Sequence, residues 1–168
     1  MKLSKLLLCL GVLTFGFTLP SFAQVVLPGI EIVATNYKYL NSVGEEAAVP
    51  VKQIEEKVAS FDVKSADFYQ DDYDTYFVSF YIPEGKVLAS YDKNGKLLRT
   101  IERFKDVDVP MAVREAVAKR FPQWSIAKDA YLVNYHDTKG VTKKTYKLTL
   151  ENGSERLKVK MNDTGEFI

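Results

Sequence analysis

The stretch "YFVSFYIPEGKVLASYDKNGKLL", residues 76–98, decides the fold of this 168-residue chain. Its apolar residues recur at every second position, which is typical of strands with one buried face, because successive side chains of a strand point to opposite sides. Pro83-Glu84-Gly85 and Asp92-Lys93-Asn94-Gly95 divide the stretch: proline presets the φ angle of a turn, and glycine is free to take the left-handed position. The stretch therefore predicts a hairpin and the start of a third strand. The positions predicted to face inward are Val78, Phe80, Val87, Ala89 and Tyr91.

The end of the chain, "YKLTLENGSERLKVKMNDTGEFI" (146–168), repeats this pattern without a gap. Only Tyr76/Tyr146 and Gly95/Gly165 are identical, so the resemblance lies in the alternation and in the turns. Asn152-Gly153 favours a two-residue hairpin loop, because both residues tolerate positive φ. That loop predicts three opposing pairs, which are Leu148 with Leu157, Tyr146 with Val159, and Lys147 with Lys158. Asn162-Asp163-Thr164-Gly165 repeats the second turn of the first stretch.

Two helices are predicted, Pro50–Phe61 and Pro110–Phe121, because proline suits a first helical turn and apolar residues follow at helical spacing. A further strand, Ala130–Tyr135, precedes a loop at 137–140. The fold class predicted is α+β, a tandem repeat of a helix plus a small antiparallel sheet, with the helix on one sheet face. The predicted units are 49–104 and 105–168. The sequence leaves open whether they share one continuous sheet.

The first residues predict export, because Lys2 and Lys5 precede an apolar run, Leu6–Phe17, and the small-residue cleavage signal Ser21-Phe22-Ala23. A transmembrane anchor is the alternative, but Pro20 interrupts the run before about 20 apolar residues are reached. We therefore expect a signal peptide at 1–23, a mature chain starting at Gln24, an N-terminal arm at 24–48, and a periplasmic or secreted protein. The one cysteine, Cys9, lies inside the predicted signal peptide.

The sequence offers little chemistry, so no catalytic residue, no metal site and no cofactor is predicted. The predicted mature chain has no cysteine, and its one histidine, His136, lies next to Asp137 at a predicted loop. The acidic run "DDYD" (71–74) lacks the spacing of a calcium loop, so we interpret it as a solvated loop, and cation binding there stays open. Trp124 is expected to pack where the second helix leads into its sheet.

Charge and aromatic content point instead to a binding surface. Residues 24–75 carry ten acidic side chains and four lysines, whereas 76–168 carry twelve acidic and seventeen basic side chains. The sheet face opposite the helices is predicted to display the candidate binding residues Phe77, Tyr81, Lys147, Arg156, Lys158 and Lys160. The aromatic positions of the first unit are expected to be covered by the arm Val25–Leu40, in which Ile30, Ile32 and Ala34 alternate like a strand, and an exposed recognition patch is the alternative. The near balance of charge over the whole chain argues against a nucleic-acid partner.

The motifs "NYKYL" (36–40), "YFVSFYIPEGKVLASYDKNGKLLRTIERF" (76–104) and "VPMAVREAVAKRFPQW" (109–124) resemble the PepSY-like, or beta-lactamase-inhibitor-protein-like (BLIP-like), exported proteins of Bacteroides-type bacteria. The resemblance covers nearly all of the predicted mature chain. It implies tandem helix-and-sheet repeats, an envelope location and no assigned enzyme activity. In the namesake inhibitor such repeats form a concave sheet that grips an enzyme. This chain lacks that inhibitor's disulfides, so beta-lactamase inhibition does not carry over.

The leading functional hypothesis is therefore an exported, non-catalytic protein that engages a protein or peptide in the envelope through a sheet face, as a hydrolase inhibitor or in a chaperone-like role. The alternative is a carrier or sensor of a small ligand or envelope glycan, held in a groove between the repeats. An enzyme is the third hypothesis and lacks a catalytic constellation. No stable membrane insertion is expected after signal cleavage. The sequence identifies neither the partner nor the oligomeric state.

Overall fold

The computed structural model describes residues 36–44 and 47–168. The predicted signal peptide and the arm up to residue 35 lie outside the described residues. The helices are α1 (Tyr37–Val43), α2 (Val49–Ala59) and α3 (Met111–Arg120), with a short 3-10 helix at Val63–Ser65. The strands are β1 (Thr75–Ile82), β2 (Gly85–Asp92), β3 (Leu97–Lys105), β4 (Ser125–His136), β5 (Gly140–Asn152) and β6 (Glu155–Met161).

The six strands form one antiparallel sheet in the order β1-β2-β3-β4-β5-β6. Each strand therefore pairs only with its neighbours in the sequence. The chain runs from α2 through three strands and then from α3 through three more, and β3 pairs directly with β4. The prediction of helices with an antiparallel sheet is confirmed, and the question of continuity is answered by a single sheet. The descent of the two halves from one duplicated unit stays a prediction.

The two matched turns, at residues 92–95 and 162–165, have the same hydrogen bonds. In the first, Asp92 accepts from the Lys96 N–H through its side chain, and the Asp92 N–H donates to the Lys96 carbonyl oxygen. In the second, Asn162 and Glu166 make the same two bonds. Gly95 and Gly165 adopt φ angles of 84° and 88°, in the left-handed region where a side chain is strained. Both turns follow from an Asx side chain placed three residues before a glycine.

The predicted register of the last hairpin is wrong by two residues. Leu148 lies opposite Val159, Tyr146 opposite Met161, and Lys147 opposite Lys160 rather than Lys158. The loop consists of Gly153-Ser154, in which Gly153 takes a φ of 61° at the first loop position. A slip of two residues leaves every side chain on its predicted face, because the strand period is two.

The predicted role of Gly85 is also wrong. Gly85 does not adopt positive φ: it pairs with Ile82 across the two-residue loop Pro83-Glu84. A Cβ atom at Gly85 would lie 2.2 Å from the Arg103 carbonyl oxygen and 2.8 Å from Phe104 Cα. Glycine is required there because the backbone of β3 approaches so closely, a feature that the turn pattern alone does not reveal.

The buried residues of all three helices and of the sheet form one cluster. We call the sheet side that contributes to it the covered face, and its members include Tyr76, Phe80, Tyr91, Phe104 and Leu148. The N-terminal arm is helical at α1, which packs on β4 and β5 through Tyr39 and Val43. The predicted cover of the opposite face by the arm is therefore wrong for residues 36–40, and Ile30, Ile32 and Ala34 lie outside the described residues.

Candidate functional site: the open sheet face

The side of the sheet opposite the helices, which we call the open face, is defined by strand register. One row across it runs Tyr81, Lys86, Arg103 and Leu132, and the next runs Lys105, Ala130, Lys147 and Lys160. A further row pairs Lys128, Thr149 and Lys158. The described helices all pack on the covered face, so the open face is the broad sheet surface that the described residues leave accessible to a partner.

Basic residues dominate the open face. All ten basic side chains on it are exposed, and register brings them together from five strands. They are Lys86, Arg99, Arg103, Lys105, Lys128, Lys143, Lys147, Arg156, Lys158 and Lys160. The strand positions of the same face carry two acidic residues, Asp92 and Glu151.

None of these ten basic side chains forms an ion pair with a described acidic residue. The ion pairs present join Lys38 and Lys96 to Asp137, Lys93 to Asp74, and Lys144 to Asp163, all away from the open face. Within the described chain, basic residues on the open face therefore outnumber acidic ones and are not neutralised by ion pairs. Several like charges held on a rigid sheet produce a field that attracts anionic partners.

A patch of exposed apolar side chains lies beside this charge, on β1 to β3. Phe77 is 74% and Tyr81 70% exposed, and Leu88 and Ile101 are the neighbouring exposed residues. Register connects them, because Leu88 lies between Ser79 of β1 and Ile101 of β3. Exposed aromatic residues at the edge of a charged surface are typical of protein interfaces.

Two adjoining depressions cross the open face. The first, of about 540 Å³, lies between Tyr81, Lys86, Arg103, Lys105 and Lys128, and its rim also carries the acidic residues Glu84, Asp106 and Asp129. The second, of about 360 Å³, lies between Lys128, Lys147, Thr149, Lys158 and Lys160. Because they share Lys128, Asp129 and Ala130, they form one groove that runs across the strands from β1 to β6.

The structure places all six predicted binding residues on the open face, but in two groups at opposite edges of the sheet. Phe77 and Tyr81 lie on β1, whereas Lys147, Arg156, Lys158 and Lys160 lie on β5 and β6. The basic residues between them were missed because β3 and β4 were not assigned to this face. The alternation of Arg99, Ile101, Arg103 and Lys105 with Thr100, Glu102 and Phe104 is the signal that would have found them.

The other residues considered from sequence have ordinary surroundings. His136 is exposed at the end of β4, where the Thr138 N–H donates to its Nδ1 atom over 3.3 Å. The Tyr69 hydroxyl donates to Asp71 of the acidic run over 2.9 Å. Trp124 packs as predicted, edge-on to Phe121 at the end of α3, with 6.4 Å between ring centroids. Among described residues, no group of three or more His, Cys, Asp or Glu side chains is placed to hold a metal ion.

A pair of buried carboxyl groups lies beneath the helices and was missed from sequence. Glu55 of α2 is 2% and Glu102 of β3 is 1% exposed. The hydroxyls of Tyr39 and Thr100 donate to Glu102 Oε1 over 2.8 and 2.6 Å, while Glu102 Oε2 and Glu55 Oε1 have no hydrogen-bond partner among the described residues.

The burial of this pair controls its protonation. Burial, followed by the charge of Glu102 and hydrogen bonding with it, raises the pKa of Glu55 from 4.5 to about 9. Burial also raises the pKa of Glu102, although hydrogen bonds from Thr100 and Tyr39 act in the opposite direction. The positive charge of Lys144 on β5 lowers both pKa values without cancelling the effect of burial. The pair therefore keeps at least one proton at neutral pH.

The helices described, α1 to α3, lack the combination of length and hydropathy that crossing a membrane requires.

Comparisons with known proteins add little to this geometry. Among solved structures, the chain is similar to a BLIP-like protein from Bacteroides fragilis, with 13% sequence identity, 81% of this chain and 82% of that chain covered, and a TM-score of 0.32. A likeness at that level carries no argument about function. No protein-family model matches the chain, and no curated protein matches it. The resemblance to PepSY-like proteins stays a prediction.

Proposed function

We propose that this protein is an exported, non-catalytic binding protein whose open face holds an acidic segment of a protein partner. The observation that carries the proposal is the concentration of ten exposed basic side chains on one sheet face, none of them paired with a described acidic residue. A surface that serves only for solubility is expected to mix charges of both signs.

The pairing of like charges supports this proposal. Lys147 lies directly opposite Lys160. Lys158, two residues from Lys160 along β6, is the next side chain on the same face. Like charges that face each other across two strands destabilise a sheet by about 0.2–1 kcal/mol. An anionic partner converts this repulsion into attraction, because each carboxylate that enters the groove lies near several ammonium groups.

The shape of the groove favours an extended segment. It crosses the strands from Tyr81 to Lys160, and Lys128 lies where its two halves join. Basic side chains line both halves and outnumber the acidic residues Glu84, Asp106 and Asp129 there, and Tyr81 offers an aromatic contact at one end. We infer that the partner inserts a peptide segment with several Asp or Glu residues and places an apolar side chain near Tyr81 or Phe77.

The sequence resemblance favours an exported hydrolase as the partner, which this protein would inhibit or chaperone. The predicted leader supports an envelope location for this encounter. In the described part of the chain no cleft separates the two halves, because β3 and β4 pair along seven positions. The depression that spans their junction is the one proposed here for the acidic segment, so it favours the small-ligand alternative no further.

The test uses a fluorescent acidic peptide and its Gln-substituted counterpart, with binding followed by anisotropy at low and high salt. The perturbed protein carries Lys147→Gln, Lys158→Gln and Lys160→Gln. The matched control carries Lys57→Gln, Lys64→Gln and Lys119→Gln, which are exposed lysines outside the open face and give the same change in net charge.

We expect the wild type to bind the acidic peptide and not the Gln-substituted peptide. Its affinity for the acidic peptide should fall at high salt, because added ions screen the attraction between the charges. The open-face triple variant should lose at least about tenfold in affinity, equivalent to about 1.4 kcal/mol, whereas the control triple variant should retain binding. Equal losses in the two variants would refute the assignment of the site to this face. The same pair of proteins then serves as bait and control for partners in envelope extracts.

A further inference from the structure

β1 is an edge strand without the usual protection. It pairs with β2 on one side, and in the described part of the chain its other side has no strand partner. Its sequence, TYFVSFYI, contains no charged residue and no proline, and its register with β2 is continuous over eight residues. Natural proteins protect long edge strands with lysine, proline or bulges, because the free backbone groups of an edge accept another strand. Of the six strands described, β1 alone lacks a charged side chain.

The free backbone groups of β1 can be identified from its hairpin. Ile82 and Gly85 flank a two-residue loop and are therefore a hydrogen-bonded pair, and hydrogen-bonded positions alternate along the strand. The N–H and C=O groups of Phe77, Ser79 and Tyr81 consequently point away from β2. No described residue bonds to these backbone groups.

The opposite edge of the sheet is protected. β6 carries Glu155, Arg156, Lys158 and Lys160, and the C-terminus covers its end. Met161 bridges to Phe167, and the Ile168 N–H donates to the Lys160 carbonyl oxygen over 3.0 Å. Among the residues that the structure describes, one edge is therefore protected and the other is suited to strand addition.

We propose that the β1 edge pairs with β1 of a second copy of this chain, to give a twelve-stranded sheet. An antiparallel arrangement centred on Ser79 brings Phe77 of each copy opposite Tyr81 of the other and provides backbone partners for all three outward-pointing residues. Two aromatic cross-strand pairs then cover side chains that are 74% and 70% exposed in the single chain. A second copy is favoured because β1 is uncharged, whereas the rest of the open face is basic and repels a copy of itself. This inference does not depend on the acidic partner.

Oligomeric state tests the proposal directly. The chain, exported with its own leader, is analysed by sedimentation equilibrium from about 1 to about 100 µM, where weak interfaces become populated. We expect a concentration-dependent dimer. Ser79→Lys places two ammonium groups face to face at the two-fold axis and should weaken dimerisation about fivefold or more. Ser154→Lys, the same substitution at the exposed β5–β6 loop, should leave it unchanged.

A cysteine variant tests the register. Opposing Cα atoms in a hydrogen-bonded antiparallel pair lie about 5.5 Å apart, within the disulfide range. In a Cys9→Ser background, Ser79→Cys should therefore form a disulfide-linked dimer under mild oxidation, and Ser154→Cys should not.

A monomer over the whole concentration range overturns the proposal. In that case the reactivity of the thiol introduced by Ser79→Cys shows whether the β1 edge is covered or exposed in the monomer. Protection from alkylation would mean that the chain's own N-terminal residues cover the edge, whereas a reactive thiol would leave the edge to a different protein. A dimer that Ser79→Lys and Ser154→Lys weaken equally overturns it as well.

Discussion

Replacing Glu55 by glutamine should change how the stability of this protein depends on pH. The unfolded chain releases the Glu55 proton near pH 4.5, whereas the folded chain keeps it until about pH 9. Between these values the folded state binds more protons than the unfolded state. The free energy of unfolding therefore falls as pH rises, by about 1.4 kcal/mol per pH unit while one proton is taken up on folding. Between pH 5.5 and 7.5 the expected loss is about 3 kcal/mol.

Glutamine is neutral at every pH and nearly the same size as glutamate, so Glu55→Gln removes this linkage without opening a cavity. We expect its unfolding free energy to fall less steeply with pH by about 1.4 kcal/mol per unit. The variant should therefore gain on the wild type steadily from pH 5.5 to 7.5. Contributions from titrating groups that do not contact Glu55 cancel in the difference between the two proteins, and adding Glu102→Gln to both removes the contribution of the coupled carboxyl group of Glu102.

Urea unfolding at several pH values, followed by the fluorescence of the one tryptophan, Trp124, provides the measurement. Glu56→Gln is the matched control, because Glu56 is the next residue of α2 and is only half-buried. It makes the same change in net charge and should keep the wild-type pH dependence. Parallel curves for the wild type and Glu55→Gln would place the retained proton on Glu102. Curves that stay parallel to the wild type when Glu55→Gln and Glu102→Gln are combined would refute the buried-proton explanation.

Two further substitutions test the packing. Asn36→Ala should lower the free energy of unfolding in urea by about 2–3 kcal/mol. The buried Asn36 side chain accepts a hydrogen bond from the Leu97 N–H over 2.7 Å and donates to the carbonyl oxygens of Ala59 and Gly95. Asn41→Ala, at an exposed position of α1, is the control, and equal losses in the two variants would contradict the role given to Asn36. Gly85→Ala should lower stability by about 1–3 kcal/mol, because its Cβ must displace the β3 backbone. Gly153→Ala meets no atom within 4 Å, so its cost is confined to the backbone strain of a side chain at a φ of 61°, about 1 kcal/mol. A loss of stability in Gly85→Ala that is no larger than the loss in Gly153→Ala, measured by thermal unfolding, would count against this explanation of Gly85.

The features predicted correctly from sequence are those that local chemistry determines. Alternation identified the faces of β1, β2, β5 and β6, and the Asx-to-glycine spacing identified both matched turns. The loop of the last hairpin was ambiguous because Asn152-Gly153 and Gly153-Ser154 are both suitable turn pairs, and a two-residue slip preserves the faces. Local patterns cannot distinguish these alternatives.

The features that the sequence missed depend on contacts between distant residues. Glu55 was not singled out from the sequence, although helical spacing places it next to the buried Val51 and Val58. Glu102 occupies an inward position of β3, between Thr100 and Phe104, where polar residues are rare. The groove on the open face could not be predicted from single hairpins, because its basic lining residues come together only when five strands are in register. The β3–β4 pairing that connects its two halves joins segments separated by α3.

The strict neighbour-to-neighbour order of the sheet bears on how the chain assembles. A polypeptide that emerges N-terminus first can complete each hairpin as soon as its second strand appears, because no early strand has to wait for a distant one. Closing short loops costs little entropy, and proteins dominated by such contacts fold faster than those with long-range strand pairing. We therefore expect the hairpins within β1–β3 and within β4–β6 to form early in refolding, and the β3–β4 pairing, whose strands are separated by α3, to form last.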